Sequence, residues 1–363
     1  MKTKIKKTAA LITRTIKSGL AMVLPILFIG SMTVMLNSFP FQPYQNFLDT
    51  FLGGALRNII QTVQGTTVGI LAIYLTISIS LSYMNQTEEG TRPVYRFGSI
   101  LSCLTGFTII LGIIWDRDIS LLSGQGVFSS VLAGVVGSVL FRKFEAYFRS
   151  RKMAFVDGAD SEFNAALHII LPFLCVTLCF AAANYIITVC FDVPSIQHLF
   201  MKGVDAIFLK MQRSYASGLL FTSLTSIMWW FGIHGNNVLD QVAVDMFTEI
   251  IPDQVVSKAF IDTFVNMGGT GCTIGLLLAM IIFGKRNSTK KLSGMAFLPA
   301  LVNISELLVF GFPVIYNPAM AIPFLLSPIL CYSGAFLMTR IGFLPMVETT
   351  VEWTTPALIS GYL

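Results

Sequence analysis

The sequence predicts an all-α, polytopic membrane protein with about 8–10 transmembrane helices, some of them re-entrant or broken in the C-terminal half. Hydrophobic residues make up 54% of the 363 residues, charged residues only 12%, and the mean hydropathy is +0.74. A soluble domain of this length would be about a quarter charged. The apolar residues also form long blocks, which a single soluble core would not need.

Most of the basic residues fall in three clusters, at residues 2–17, 142–152 and 285–291. The positive-inside rule places all three clusters in the cytoplasm, together with the N-terminus. The net charge of +5 therefore reports membrane orientation, and we expect no nucleic-acid partner.

The N-terminal half reads as a lead-in followed by regular spans. Residues 1–17 predict an amphipathic cytoplasmic helix, residues 18–190 a transmembrane scaffold and oligomerisation half, and residues 191–363 a substrate-binding half with re-entrant segments. The apolar runs that predict spans are Ser18–Leu36, Thr66–Met84, Phe97–Ile114, Gly126–Phe141 and Leu167–Cys190.

The second half is less regular. Crossings at Ser217–Ile233 and Met267–Gly284 would leave the basic cluster at 285–291 outside, against the charge rule. A partial crossing by His198–Met211 or by Asn237–Phe264, or a re-entrant hairpin, would resolve the conflict, and the sequence leaves these alternatives open.

Apolar runs in the second half are rich in helix breakers, which favour either a cavity-lining site or ordinary kinks in packed helices. The helix breakers are Pro299, Gly311, Pro313, Pro318, Pro323, Pro328, Pro345 and Pro356.

Glu306 is the candidate functional residue with the strongest signal. It is the only acidic residue between Asp262 and Glu348, and the segment around it is otherwise uncharged. A carboxylate in so apolar a segment costs several kcal/mol unless it faces a polar cavity or a partner. On a helix, Asn303 would share its face at i, i+3, which gives a carboxylate and an amide suited to hydroxyl groups.

His234 is the second candidate, at the end of an apolar run. Asn236 and Asn237 follow it and offer both donors and acceptors. Trp229 and Trp230 precede it, either as membrane-interface anchors or as apolar surfaces beside a sugar.

A metal site would need more ligands at regular spacing, so we expect no metal and no cofactor. The six cysteines lie in apolar segments without a CxxC pair and read as buried, inert thiols.

Four segments in order carry a family resemblance: WWFGIHGNNV, VNMGGTGCTIGLLLAM, LPALVNISELLVFGFPVIYNPAMAIPF and WTTPALISGYL. They resemble the enzyme IIC component of the bacterial sugar phosphotransferase system, of the lactose/cellobiose/diacetylchitobiose type. The resemblance implies a permease of the bacterial cytoplasmic membrane that binds a sugar, forms a homodimer and works with a separate enzyme IIB phosphoprotein. The chain would be one component of a phosphotransferase, because the phosphoryl donor is enzyme IIB.

The resemblance also assigns roles to residues. The family's FGIHG histidine falls on His234 and its essential glutamate on Glu306, so these two form the expected catalytic pair, each holding a sugar hydroxyl. Ser305 and Leu307 depart from the family's Asn and Pro beside that glutamate, and Glu352 stands where the family usually has Pro. The substrate-binding candidates are Asn303, Ser305, Asn236, Asn237, Trp353 and Thr354.

Two functions remain open at this point. The first is transport of a disaccharide, β-glucoside or cellobiose-like, coupled to phosphorylation by enzyme IIB. The alternative is a non-transporting sugar sensor that signals to a cytoplasmic output domain absent from this chain, which ends where family members continue through another membrane segment. A membrane-embedded hydrolase is disfavoured because no nucleophile or metal set accompanies the pair.

Overall fold

The computed structural model describes residues 2–87, 93–112, 118–151, 160–312 and 314–362. Every regular element in these ranges is helical, which confirms the all-α class. Pro313, Lys152 and the end of the predicted span Phe97–Ile114 lie outside the described residues. The α-helices are α1 (Lys2–Met22), α2 (Leu24–Asn37), α3 (Gln42–Thr50), α4 (Ala55–Thr66), α5 (Leu71–Asn85), α6 (Pro93–Leu111), α7 (Val127–Ser150), α8 (Ser161–Phe191), α9 (Ile196–Phe208), α10 (Tyr215–Trp230), α11 (Gly235–Val238), α12 (Asp240–Phe247), α13 (Lys258–Phe264), α14 (Ile274–Phe283), α15 (Asn287–Leu301), α16 (Glu306–Gly311), α17 (Pro318–Arg340) and α18 (Ala357–Ser360).

Five helical stretches in the described part are long and apolar enough to cross a membrane, and a sixth arises if α1 and α2 are counted as one broken span. This confirms a polytopic membrane protein. The total of about 8–10 crossings stays a prediction, because shorter apolar helices such as α14 are not counted among these stretches. The five stretches are Gln42–Asn85, Pro93–Leu111, Gly124–Ser150, Phe163–Phe191 and Pro318–Arg340.

The predicted span Ser18–Leu36 is wrong as a single helix. The first helix begins at Lys2, passes through the predicted lead-in and ends at Met22, and the next begins at Leu24. Pro25 explains the break, because proline lacks the N–H group for a helical hydrogen bond and clashes with the preceding turn. The remaining four predicted spans of the N-terminal half overlap helical stretches of membrane-spanning length.

The chain divides into two compact units. The first unit comprises Met1–Val23 and Ile70–Gly203. Its helices α5, α6, α7 and α8 pack on one another, and α1 packs on α5. Small residues allow the close approach: a Cβ added to Gly106 would lie 2.5 Å from the ring of Phe180, and one on Gly137 would lie 2.8 Å from Sγ of Cys103. Membrane helices commonly associate through such small-residue contacts.

Three serine hydroxyls join helices α5, α6 and α7 inside the first unit. Oγ of Ser80 and Oγ of Ser99 are 2.9 Å apart, Ser99 donates to Ser138 at 3.3 Å, and Ser138 donates to Ser80 at 3.1 Å. All three side chains are fully buried. The closed triangle satisfies each hydroxyl without water, as buried polar groups in a membrane protein require.

The second unit comprises Leu24–Gly69 and Val204–Leu363. Helix α10 packs on α17, where the buried Tyr332 donates a hydrogen bond to the carbonyl of Tyr215 at 3.0 Å. A separate apolar cluster from α14, α15 and α16 includes Leu277, Met280 and Leu308. Most helices of this unit are short, and the backbone between them carries several left-handed residues.

The prolines of helix α17 do not break it. Helix α17 is continuous for 23 residues, with Pro318 in its first turn and Pro323 and Pro328 inside it. None of these three prolines interrupts the helix. The breaks arise instead at left-handed residues, among them Asn303 (φ +62°) and Gly268 (φ +75°). Left-handed backbone ends a helix because the carbonyl groups no longer align with its axis.

Candidate functional site

His234 is held at a sharp turn after α10. Gly232 has a φ of +79°, which reverses the chain, and Gly235 lies so close to α10 that a Cβ there would be 2.4 Å from the carbonyl oxygen of Thr225. The His234 side chain caps the following short helix, since its Nδ1 accepts a hydrogen bond from the backbone N–H of Asn237 at 3.3 Å. In neutral His234 the proton then resides on Nε2, the other ring nitrogen.

Glu306 begins α16, and its carboxylate faces that ring nitrogen. Oε1 of Glu306 lies 3.8 Å from Nε2 of His234, and the two side chains are 22% and 24% exposed. This distance is too long for a direct hydrogen bond. The carboxylate lone pairs and the Nε2–H therefore remain available, and one hydroxyl group could donate to Glu306 while accepting from His234.

Aromatic rings fix the orientation of the imidazole. The ring of Trp229 lies 4.6 Å from that of His234, centroid to centroid, and Phe310 packs on Trp229 at 5.9 Å. Trp229 is only 2% exposed, so the sequence-based alternative of an interface anchor is wrong for it. Trp230 is half-buried and donates from its ring nitrogen to the carbonyl of Asn317 at 3.2 Å. Sequence reasoning had not assigned Trp229 this orienting role.

Asn303 does not share a helical face with Glu306, contrary to the i, i+3 prediction. Helix α15 ends at Leu301, and the left-handed backbone of Asn303 separates it from α16. Its Oδ1 accepts from the N–H of Gly268 at 2.8 Å, and its Nδ2 donates to the carbonyls of Trp353 at 2.7 Å and Thr355 at 2.9 Å. These contacts engage the whole amide, so they favour a positioning role; sugar binding by Asn303 stays a prediction.

A glycine turn, residues 268–273, touches both sides of the site. Nδ2 of Asn236 donates to Oγ1 of Thr270 at 3.1 Å, close to His234 in the chain. A Cβ on Gly269 (φ +98°) would lie 2.6 Å from Cβ of Ser305, next to Glu306. Only glycine permits both the left-handed backbone and this approach. The turn therefore links the two segments that carry the catalytic candidates.

The last predicted site residues lie in a segment tied to Asn303. Trp353 is 44% exposed, and its carbonyl is held by the Asn303 amide. Thr354 is fully buried and donates to the carbonyl of Ser38. Trp353 can therefore present an aromatic face to a ligand, whereas Thr354 anchors the segment to the start of the second unit. Ser305 is 3% exposed, and Asn237 contributes its backbone N–H to His234.

A cavity of about 300 Å³ lies elsewhere in the second unit and shares no lining residue with this site. Arg213 lines it, with Nε donating to the carbonyl of Met246 at 2.7 Å and Nη2 to that of Glu249 at 2.5 Å. Burial lowers the pKa of Arg213, and the nearby Glu249 opposes this shift. Nε and Nη2 of Arg213 are held by backbone carbonyls, and no lining residue of this cavity belongs to the Glu306–His234 pair.

Comparisons with known proteins agree with the resemblance. The family model described as phosphotransferase system, EIIC matches residues 17–328. The oligo-beta-mannoside-specific EIIC component of Bacillus subtilis is 25% identical over 378 residues, covering 96% of this chain and 82% of the relative. The cellobiose-specific EIIC component of Lactococcus lactis is 28% identical over 189 residues, covering 43% and 38%. The lactose-specific EIICB component of Streptococcus mutans is 20% identical, covering 95% and 62%.

A solved structure shares the fold. The transporter ChbC, the IIC component from the N,N'-diacetylchitobiose-specific phosphotransferase system, has a TM-score of 0.51 and 19% sequence identity, covering 97% of this chain and 86% of that one. The family model matches far more than half of the residues, and the membrane-spanning helices fit a permease component. This chain therefore belongs to the EIIC family of the phosphotransferase system.

Proposed function

We propose that this protein carries a β-linked disaccharide, cellobiose or a close analogue, across the bacterial cytoplasmic membrane for phosphorylation by EIIB. The observation that carries the proposal is that Glu306, in an otherwise uncharged segment, lies 3.8 Å from His234. Relatives named for oligo-β-mannosides, cellobiose and lactose support a substrate of disaccharide size.

The pair suits a sugar hydroxyl because it combines an acceptor and a donor. Glu306 accepts the hydroxyl proton, and Nε2–H of His234 donates to the hydroxyl oxygen. The family resemblance implies a phosphocysteine on EIIB as the donor. When the hydroxyl oxygen attacks its phosphorus atom, the phosphorus–sulfur bond breaks, the cysteine leaves as a thiolate on EIIB, and the hydroxyl proton moves to Glu306. Such a transfer depends mainly on positioning and charge, so one carboxylate and one imidazole are sufficient protein groups.

Two neighbouring features support a sugar over a smaller polar ligand. Trp353 is 44% exposed in the segment held by Asn303, so its ring can cover an apolar face of a pyranose. Trp229 holds the imidazole in place, so the donor does not have to reorient when the ligand arrives. Both rings belong to the same unit as the catalytic pair.

Orientation and assembly belong to the same proposal. The basic clusters support a cytoplasmic N-terminus and cytoplasmic loops after α7 and α14. We expect a homodimer, with residues 18–190 as the scaffold and residues 191–363 as the substrate-binding half. Cysteine cross-linking and accessibility labelling in intact cells would test both expectations.

Uptake of radiolabelled cellobiose is the direct test. Bacterial cells that lack their own β-glucoside permease, but contain EIIB and the phosphoryl-donating enzymes, should accumulate phosphorylated cellobiose when they express this protein. Glu306→Gln should lower the uptake by about 10- to 100-fold, since a hydrogen bond to a charged group contributes about 1.5–3 kcal/mol. Glu249→Gln removes a carboxylate from an exposed side chain and is the matched control.

The outcome also separates transport from sensing. If the purified protein binds cellobiose, while cells that contain EIIB show neither uptake nor phosphorylated product, the transport proposal fails and the sensor alternative is supported. If Glu306→Gln transports at the rate of the unchanged protein, the assignment of the site is wrong. If Glu306→Gln and Glu249→Gln lowered uptake equally, the decrease would reflect the loss of a negative charge and not a role specific to Glu306.

A further inference from the structure

We propose that Cys272 and Cys331 form a reversible disulfide that ties the glycine turn to helix α17 and slows sugar uptake. Their Sγ atoms lie 3.6 Å apart, although the residues are 59 positions apart in the sequence. Neither cysteine belongs to the catalytic pair or to the predicted sugar contacts. The effect on uptake rests on the proposed function, whereas formation of the disulfide does not.

The backbone brings the two thiols together at the end of the turn. Gly271 (φ +88°) presses against α17, where a Cβ on it would lie 2.1 Å from Cε2 of Phe324. Cys272 follows directly and also has left-handed backbone (φ +52°). Its Sγ lies next to that of Cys331, which is about two helical turns beyond Phe324 on the same helix. A disulfide bond is about 2.05 Å long, so the sulfurs need to approach by about 1.5 Å to form it.

Cys272 and Cys331 combine access with closely placed Sγ atoms, and access alone does not set them apart, because Cys175 is half-buried as well. Cys272 and Cys331 are both half-buried, so a small oxidant can reach them. Cys103 is fully buried and hydrogen-bonded to Ser138. Cys179 and Cys190 are exposed, so the prediction that all six thiols are buried is wrong.

The reaction balances with a lipid-soluble hydroperoxide as oxidant. One thiol sulfur attacks the outer peroxide oxygen, the O–O bond breaks, and the alcohol leaves with a proton, giving a sulfenic acid. The second thiol attacks that sulfur, the S–S bond forms, and water leaves. Two electrons pass from the thiols to the peroxide, and a dithiol reductant reverses the bond by exchange.

The bond would act on the site through the turn. Within the turn, the hydroxyl of Thr270 accepts a hydrogen bond from the side chain of Asn236. The backbone N–H of Gly268, the first residue of the turn, donates to the side-chain oxygen of Asn303. Fixing Cys272 to α17 therefore restrains the segments that carry His234 and Glu306. A transport cycle requires such segments to rearrange as sugar enters and leaves, so a covalent restraint slows the cycle without removing any sugar contact.

Disulfide mapping tests the bond itself. The full-length protein in membrane vesicles is treated with cumene hydroperoxide, blocked with N-ethylmaleimide, digested without reductant and analysed by mass spectrometry. We expect the Cys272–Cys331 cross-linked peptide from the unchanged protein and from Cys179→Ser, and its absence from Cys331→Ser. Recovery of both thiols as maleimide adducts, or a different dominant pairing, would overturn the proposal.

Uptake after the same treatment tests the regulatory effect. Hydroperoxide should lower the rate of cellobiose uptake several-fold, and dithiothreitol should restore it, in the unchanged protein and in Cys179→Ser. Residue 331 lies on a regular helix, so Cys331→Ser should elute like the unchanged protein in gel filtration and should transport at a rate insensitive to the oxidant. Equal inhibition of Cys331→Ser would refute the switch, while absent uptake before oxidation would count against the proposed function alone.

Discussion

The two units differ in the length of their helices and in the partners of their polar side chains. In the first unit, helices such as α7 and α8 run for 24 and 31 residues, and serine hydroxyls bond one another between helices. In the second unit, α11 and α16 have four and six residues, and the site lies where they begin. The comparison teaches that regular packing supplies a scaffold, whereas interrupted helices supply the free side chains and backbone turns that a site requires.

Left-handed residues show the same contrast. Asn303 has the strained conformation in the second unit and compensates for it with bonds to three backbone groups. In the first unit, Ser138 lies in a regular helix and uses its hydroxyl to join neighbouring helices. Changes at these positions should therefore have effects of different size and kind.

The largest loss of stability should follow from changes at Asn303. Asn303→Ala removes three hydrogen bonds, two of them buried and one partly buried, and leaves alanine at φ +62° without a compensating side chain. We expect a loss of about 3–4 kcal/mol, from about 1 kcal/mol for each bond and about 1 kcal/mol of strain. Asn303→Gly relieves only the strain, so its thermal midpoint in detergent should lie between those of Asn303→Ala and the unchanged protein. Equal midpoints for the two variants would show that the backbone conformation costs nothing.

A smaller loss should follow from filling a helix contact in the first unit. A Cβ on Gly137 would lie 2.8 Å from Sγ of Cys103, so Gly137→Ala should cost about 1–3 kcal/mol through overpacking. Gly334, inside α17 of the second unit, has no atom within 4 Å of such a Cβ. Gly334→Ala should therefore be neutral or stabilise by up to about 1 kcal/mol. Thermal unfolding of both variants measures the difference, and a larger loss at Gly334 would contradict the packing described for α7.

The smallest effect should come from the serine triangle. Ser138→Ala removes bonds between helices, and hydrogen bonds of this kind in membrane proteins contribute about 0.6 kcal/mol on average. Ser130 is equally buried on the same helix but bonds only the carbonyl of Val127 in its own turn. Ser130→Ala should therefore lower the thermal midpoint less than Ser138→Ala. Neither change should alter sugar affinity; a loss of affinity in Ser138→Ala would break the division between scaffold and site.

The sequence predicted the class and the central pair for physical reasons. Composition and long apolar runs require a membrane, and a lone carboxylate such as Glu306 is too costly there without a function. The roles of Asn303 and Cys272 could not be predicted, because they depend on left-handed backbone and on contacts 35 and 59 residues away in the chain. The continuity of α17 could not be decided from the sequence, because prolines reduce helix propensity locally, whereas packing against α10 decides the outcome.

Equilibrium binding tests the central claim, that Glu306 and His234 together hold a sugar hydroxyl. Purified protein in detergent is titrated with cellobiose by calorimetry, beside Glu306→Gln and the control Glu249→Gln. The account predicts that the unchanged protein and Glu249→Gln bind cellobiose equally, and that Glu306→Gln binds about 10- to 100-fold more weakly. Binding of equal strength by Glu306→Gln and the unchanged protein would contradict it.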